Sequence, residues 1–191
     1  MIRHYQRLLI LHGSLVLLLG LFAGFLLVFK LLGQVALWPL PGFDLTLPGS
    51  PRAWNTAHIG PIFNGIMAYG VAFVIALVPL SDFRQKFVTY GIVFSIWGNV
   101  AFYVGSIFGN ARALTGGGET PYGTANIFDL LGYVPAAIAA AVTIIAISFL
   151  ALGAKQALYD TKEAGAAPSL TPSMSYGGQK QQTPAARPQA E

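Results

Sequence analysis

Long apolar runs, separated by short polar stretches, dominate the chain. Four stand out: roughly Leu8–Leu32, Ala57–Leu80, Phe87–Phe108 and Ile127–Ala154. Each reaches the roughly 20 residues that a helix needs to cross a bilayer. The alternation of a membrane barrel is absent. The first run follows a basic start, Met1–Arg7, as a signal peptide would. It is too long for an apolar signal core of about 7–15 residues, and no small-residue cleavage site follows at once. The pattern predicts an all-α integral membrane protein, a bundle of four transmembrane helices. In the second, Asn55 or Thr56 is the expected N-cap. Pro61 cannot donate to the carbonyl of Ala57 and is harmless only within the first turn, which places His58 at the outer end of that helix.

The stretches between the runs differ. In "GQVALWPLPGFDLTLPGSPRAWNT", Gly33–Thr56, the pieces "LWPL" and "FDLTL" flank a Pro-Gly and predict a small hairpin. "SDFRQK" is short and basic. "GNARALTGGGETPYGTAN" is glycine-rich but has no Lys-Ser/Thr at phosphate-loop spacing. After Gly165 the composition shifts to Ala, Pro, Gln, Gly and Ser, which predicts a disordered tail. The expected division is a four-helix membrane domain over 1–160 and a tail over 161–191.

Composition supports the class. Of 191 residues, 54% are hydrophobic and 9% charged, against about 25% charged in a soluble domain. The lack of cysteine excludes disulfides, thiolate-held metals and covalent c-type haem attachment. The net charge of +4 is not a nucleic-acid footprint, because its positions follow membrane orientation. With both termini cytoplasmic, Arg3, Arg7, Arg84, Lys86 and Lys155 lie inside; only Lys30, Arg52 and Arg112 lie outside.

Polar residues within the spans are costly and mark candidate chemistry. They are His12 and Ser14 in the first; His58, Asn64 and Tyr69 in the second; Ser95, Asn99, Tyr103 and Ser106 in the third; and Asp129, Tyr133, Thr143 and Ser148 in the fourth. Ser95, Asn99, Tyr103 and Ser106 fall within about 80° of helical arc. Such a stripe fits either hydrogen bonding between helices or the wall of a cavity. His58, at the outer end of the second helix, fits either an interfacial histidine bonded to water or backbone, or an axial haem ligand. His12 lies towards the opposite face, most of the ~30 Å hydrocarbon thickness away. One iron cannot take both from one chain. Arg112 sits on the same side as His58, as a haem propionate partner or a topological charge at the interface. "GLFAG", Gly20–Gly24, is a GxxxG motif suited to close helix contact.

Several motifs carry a family resemblance. "LHGSL" in the first helix, "LPGSPRAWNTAHIGPIFNG" into the second, "GNVAFYVGSIF" in the third and "NARALTGG" after it resemble styrene-oxide isomerases, small membrane enzymes of bacterial styrene degradation. The likeness spans about Met1 to Tyr159. It implies a ferric haem b enzyme of the bacterial inner membrane, a homotrimer with haem at subunit interfaces. It also implies a Meinwald rearrangement of an aryl epoxide, such as styrene oxide to phenylacetaldehyde. The family's haem-ligating histidine falls on His58, its site asparagine on Asn64, its site tyrosine on Tyr103 and a second asparagine on Asn99. The expected partners are therefore an apolar epoxide that enters from lipid and further copies of the chain. The competing reading is a b-type haem redox subunit of the membrane, which needs a second strong iron ligand.

Overall fold

The computed structural model describes the backbone of residues 2–166 and the side chains of residues 2–161. In chain order the elements are α1 (Ile2–Leu32), β1 (Gln34–Val35), β2 (Phe43–Asp44), α2 (Pro51–Val74), α3 (Asp82–Phe108), β3 (Glu119–Thr120), β4 (Gly123–Thr124) and α4 (Ile127–Ala166). All four helices are long and apolar enough to cross a membrane, so the chain is a multi-pass membrane protein. α1 packs along α2 and α3 along α4, and α2 against α3 joins the two pairs.

Helix limits depart from the apolar runs, with α2 starting before Ala57 and stopping at Val74, short of Leu80, because hydropathy reports lipid contact, whereas a helix ends where capping chemistry ends it. Ser81 caps α3 by accepting from the N–H of Arg84, so the helix begins within the polar "SDFRQK". α4 continues past residue 160, the expected domain boundary. The remainder of the expected tail, residues 167–191, lies outside the described residues.

The start of α2 corrects the expected cap. Ser50, not Asn55 or Thr56, is the N-cap: its hydroxyl accepts from the N–H of Ala53 at 3.2 Å, and Pro51 takes the first helical position. Proline suits that position because its φ is preset and its missing N–H is not needed. Pro61 therefore lies inside the helix, not in its first turn. His58 lies seven residues beyond Pro51, about 10 Å further along the axis, and not at the helix end.

The hairpin expected within Gly33–Thr56 is present, but with a different first strand. Gln34 and Val35, not "LWPL", pair with Asp44 and Phe43. A second hairpin pairs Glu119–Thr120 with Gly123–Thr124 in the glycine-rich stretch.

The larger core cluster lies where all four helices meet towards the termini. Leu9, Val16, Ile75, Val88, Ile92 and Ile96 are fully buried there, with Ala146 and Leu150 from α4. A smaller cluster, Ala53, Trp54, Ala57 and Ile107, lies towards the hairpins. The site is built around this thinner end.

Candidate active site

α2 positions the site by carrying different chemistry on opposite flanks. His58 is half-buried against α1. Its Nδ1 lies 2.9 Å from the carbonyl oxygen of Gly20. A carbonyl only accepts, so the contact is a hydrogen bond when Nδ1 carries the proton, and Nε2 then keeps its lone pair. The ring occupies a hollow that α1 leaves at Gly24, where a Cβ would collide with the imidazole. At Gly20 a Cβ would sit 2.9 Å from the His58 carbonyl. The GxxxG motif thus works within the chain, letting α1 approach α2 and making room for the histidine.

On the other flank, α3 places Tyr103 over Gly60, where a Cβ would collide with the phenol ring. Asn64 Nδ2 donates to the Tyr103 hydroxyl at 3.0 Å, and Asn99 Nδ2 donates to Asn64 Oδ1 at 3.2 Å. The order is Asn99 to Asn64 to Tyr103. The tyrosine oxygen accepts, and its own proton has no acceptor among the described residues. Amides aligned in this way, Asn64 buried and Asn99 half-buried, hold a phenol in one orientation.

Beside Tyr103 lies a cavity of about 200 Å³ whose walls include Phe22, Ala23, Trp54, Ala57 and Val104. The Trp54 N–H is turned out of it, donating to the carbonyl of Pro48 at 2.7 Å. The walls are therefore hydrocarbon and aromatic, with the tyrosine as the polar group at hand. The space suits a small aromatic molecule.

Tyr103, Asn64 and Asn99 come together, as the stripe on α3 allows. Ser95 does not join them: it donates to the Ala139 carbonyl across the α3–α4 contact at 3.1 Å. Ser106 donates to the Tyr103 carbonyl at 2.8 Å. Both meanings of the stripe hold, for different residues. His58 is not part of the Tyr103 group. Positions 58 and 60 project about 160° apart around a helix, so α2 itself separates the imidazole from the phenol. Arg112 lies in the loop after α3 and makes no hydrogen bond to either among the described residues.

His12 lies eight residues before Gly20, about 12 Å along α1. Its Nδ1 accepts from the Trp97 indole at 3.0 Å. Among the described residues no group of three or more His, Asp or Glu is placed to hold a metal ion.

The comparison with known proteins bears on the whole bundle. The profile of a family described as styrene oxide isomerase matches residues 5–155. The chain belongs to the styrene-oxide isomerase family. It is 32% identical over 171 residues to the styrene-oxide isomerase of Pseudomonas fluorescens, a match covering 90% of this chain and 99% of the relative. This chain is accordingly an epoxide isomerase. An isomerisation consumes neither water nor outside electrons, and a cavity with hydrocarbon walls suits it.

The residues that the sequence reading missed are mostly glycines. Gly60 seats Tyr103 although no close-contact motif marks it, and the GxxxG motif marked Gly24 for close helix contact but not as the seat of His58. Asp129 was noted only as a polar residue within a span. It is fully buried and accepts from the backbone N–H groups of Ala111, Ala113 and Asn126 at 3.1, 2.6 and 2.9 Å.

Proposed function

We propose that the protein rearranges aryl epoxides such as styrene oxide to aldehydes such as phenylacetaldehyde, with ferric haem b held by His58. One observation carries this reading: an imidazole seated in a glycine hollow, with Nδ1 against a backbone carbonyl and Nε2 available. This is the arrangement that fixes a metal-ligating histidine. A lone histidine holds iron firmly only if other ligands come from elsewhere, as a porphyrin's four nitrogens do. The residues therefore fit haem, which His58 would hold. His12 is too far along α1 to serve as a second ligand from within the chain, which disfavours the redox reading.

When bound, ferric haem supplies a Lewis acid for the epoxide oxygen. The chain supplies the rest. The C–O bond at the benzylic carbon opens because the aryl ring shares the positive charge. A hydride moves from the neighbouring carbon, and the oxygen becomes the aldehyde carbonyl. No atom is gained or lost. Tyr103 points its free hydroxyl proton at the developing negative oxygen, a use of preorganised donors. Asn64 and Asn99 hold the phenol in place. Phe22, Trp54 and Val104 keep out water, which would trap the cation as a diol.

His58 and Tyr103 lie on opposite flanks of α2, so one chain does not turn both towards one ligand. A homotrimer with haem between subunits resolves this: one copy offers its His58 flank and the next its Tyr103 flank. The orientation we favour has both termini in the cytoplasm of a bacterium and the hairpins outside. It places Arg3, Arg7, Arg84, Lys86 and Lys155 inside and Lys30, Arg52 and Arg112 outside.

The test is the absorption spectrum of the purified protein, followed by product analysis with styrene oxide. A high-spin ferric haem spectrum and phenylacetaldehyde are expected. Haem-free active protein, a low-spin spectrum or a diol product would each overturn the reading.

A further inference from the structure

At the hairpin end of the bundle, a cavity of about 150 Å³ takes Arg52 from the first turn of α2 and Arg112 from the loop after α3. Ser106 and Tyr122 also line it. Neither arginine forms an ion pair among the described residues, where Lys86 with Asp82 is the pair found. Two guanidinium groups bordering one small cavity repel each other unless an anion lies between them.

The chain holds Arg112 there against its backbone preference. Arg112 and the next residue, Ala113, have φ of +58° and +54°. That region costs a non-glycine residue on the order of 1 kcal/mol or more, and it persists where the surroundings enforce it. Asp129 does the enforcing, since its carboxylate takes the N–H groups on both sides of Arg112, those of Ala111 and Ala113. The carboxylate is spent on the backbone. The Arg112 guanidinium is steadied 4.0 Å above the Tyr122 ring, which leaves its N–H edges free. A strained turn braced by a buried acid, with an unpaired arginine at its tip and a second arginine beside it, is built to hold an oxyanion.

We propose that Arg52 and Arg112 together bind a pair of carboxylates, those of the haem propionates. The assignment rests on the haem reading. This cavity opens on the Tyr103 flank, so the histidine that faces it in the proposed trimer is that of the neighbouring copy; ring symmetry keeps that histidine at the depth of His58, six residues or about 9 Å beyond Arg52 along α2. That interval is comparable with the distance from the centre of a porphyrin to the carboxylates at its edge. The floor of the cavity also touches the reacting end, because Ser106 lines it and donates to the carbonyl of Tyr103. The other source of the same chemistry is the phosphate of a lipid headgroup.

Full-length protein made in haem-deficient cells and placed in nanodiscs is titrated with hemin and with hemin dimethyl ester, whose carboxylates are blocked. Wild-type protein should prefer hemin by about tenfold or more, since charge-assisted pairs to arginine are strong. Arg52→Gln and Arg112→Gln should each narrow the preference, and the double variant should abolish it while binding the ester as wild type does. Equal affinity of the wild-type protein for hemin and ester overturns the site, whatever the variants do. So does a double variant that keeps the wild-type preference. If that variant instead loses co-purified phospholipid by mass spectrometry and keeps its hemin preference, the site belongs to lipid phosphate and the proposal fails. A wild-type protein that binds neither compound sinks the haem reading itself, an outcome distinct from equal binding of the two.

Discussion

The two ends of the bundle are built by opposite rules. Towards the termini, Leu9, Val16, Ile75, Val88, Ile92 and Ile96 fill the space between four helices with no exposed surface. Towards the hairpins, the buried apolar cluster shrinks to Ala53, Trp54, Ala57 and Ile107. There, glycines seat rings, two asparagines hold a phenol, and cavities of about 150 and 200 Å³ remain open. Membrane helices associate through packing and hydrogen bonds, since lipid tails are as apolar as leucine. The terminal end therefore holds the helices at fixed distances, and the hairpin end relinquishes packing to keep space and polar groups in place. With the proposed site at the hairpin end, substitutions at the two ends should fail in different ways.

The largest break should come from His58→Ala. The side chain fills a hollow at the edge of α1, and its loss leaves the larger cluster untouched. Helical content and assembly should persist, with haem and isomerase activity lost. Circular dichroism, size-exclusion profile and haem content check this together. Normal haem content in the variant would remove His58 as the ligand.

Tyr103→Phe should come next. It deletes one donor and keeps the ring over Gly60. Haem content and resting spectrum should match wild type, while turnover falls about a hundredfold, or roughly 3 kcal/mol in the barrier. Normal turnover would make Tyr103 a packing residue, and a changed resting spectrum would make it an iron ligand.

Asn99→Ala sharpens the comparison within the hairpin end. Asn99 reaches Tyr103 only through Asn64, so the loss should be smaller, about tenfold in turnover, from a hydrogen bond of ordinary strength. A loss as large as that of Tyr103→Phe would mean that Asn99 contacts substrate itself.

Ile92→Ala tests the terminal end. It should cost about 2–4 kcal/mol of stability through the cavity it leaves. The folded fraction should turn over within about twofold of wild type, because additivity holds between distant sites. Thermal unfolding and activity per haem separate the two quantities. A variant of normal stability but slow turnover would erase the division proposed here.

Much was legible in the sequence, for a definite reason. A membrane span is a local property: about 20 apolar residues suffice whatever their neighbours are. The four helices and the presence of a hairpin could therefore be read one segment at a time. So could the grouping of Asn99 with Tyr103, which needs only helical period. The quoted motifs also carried the family, since "LPGSPRAWNTAHIGPIFNG" keeps its residues in order along a chain.

Caps were harder to read. Asn55, Thr56 and Ser50 are all competent N-caps, and the choice rests on Pro51, which is preset for the first helical position. That choice moved His58 from the helix end into its interior. Facing was not legible at all. Period gives the angle between two residues of one helix, but not what stands opposite either of them. Only the packed bundle put Gly24 behind His58, Gly60 behind Tyr103, Asn64 between two residues of another helix, and Asp129 beneath Arg112. Each of these is a contact between segments whose relative rotation and depth are set by close packing, a property of the assembled helices and of no single one.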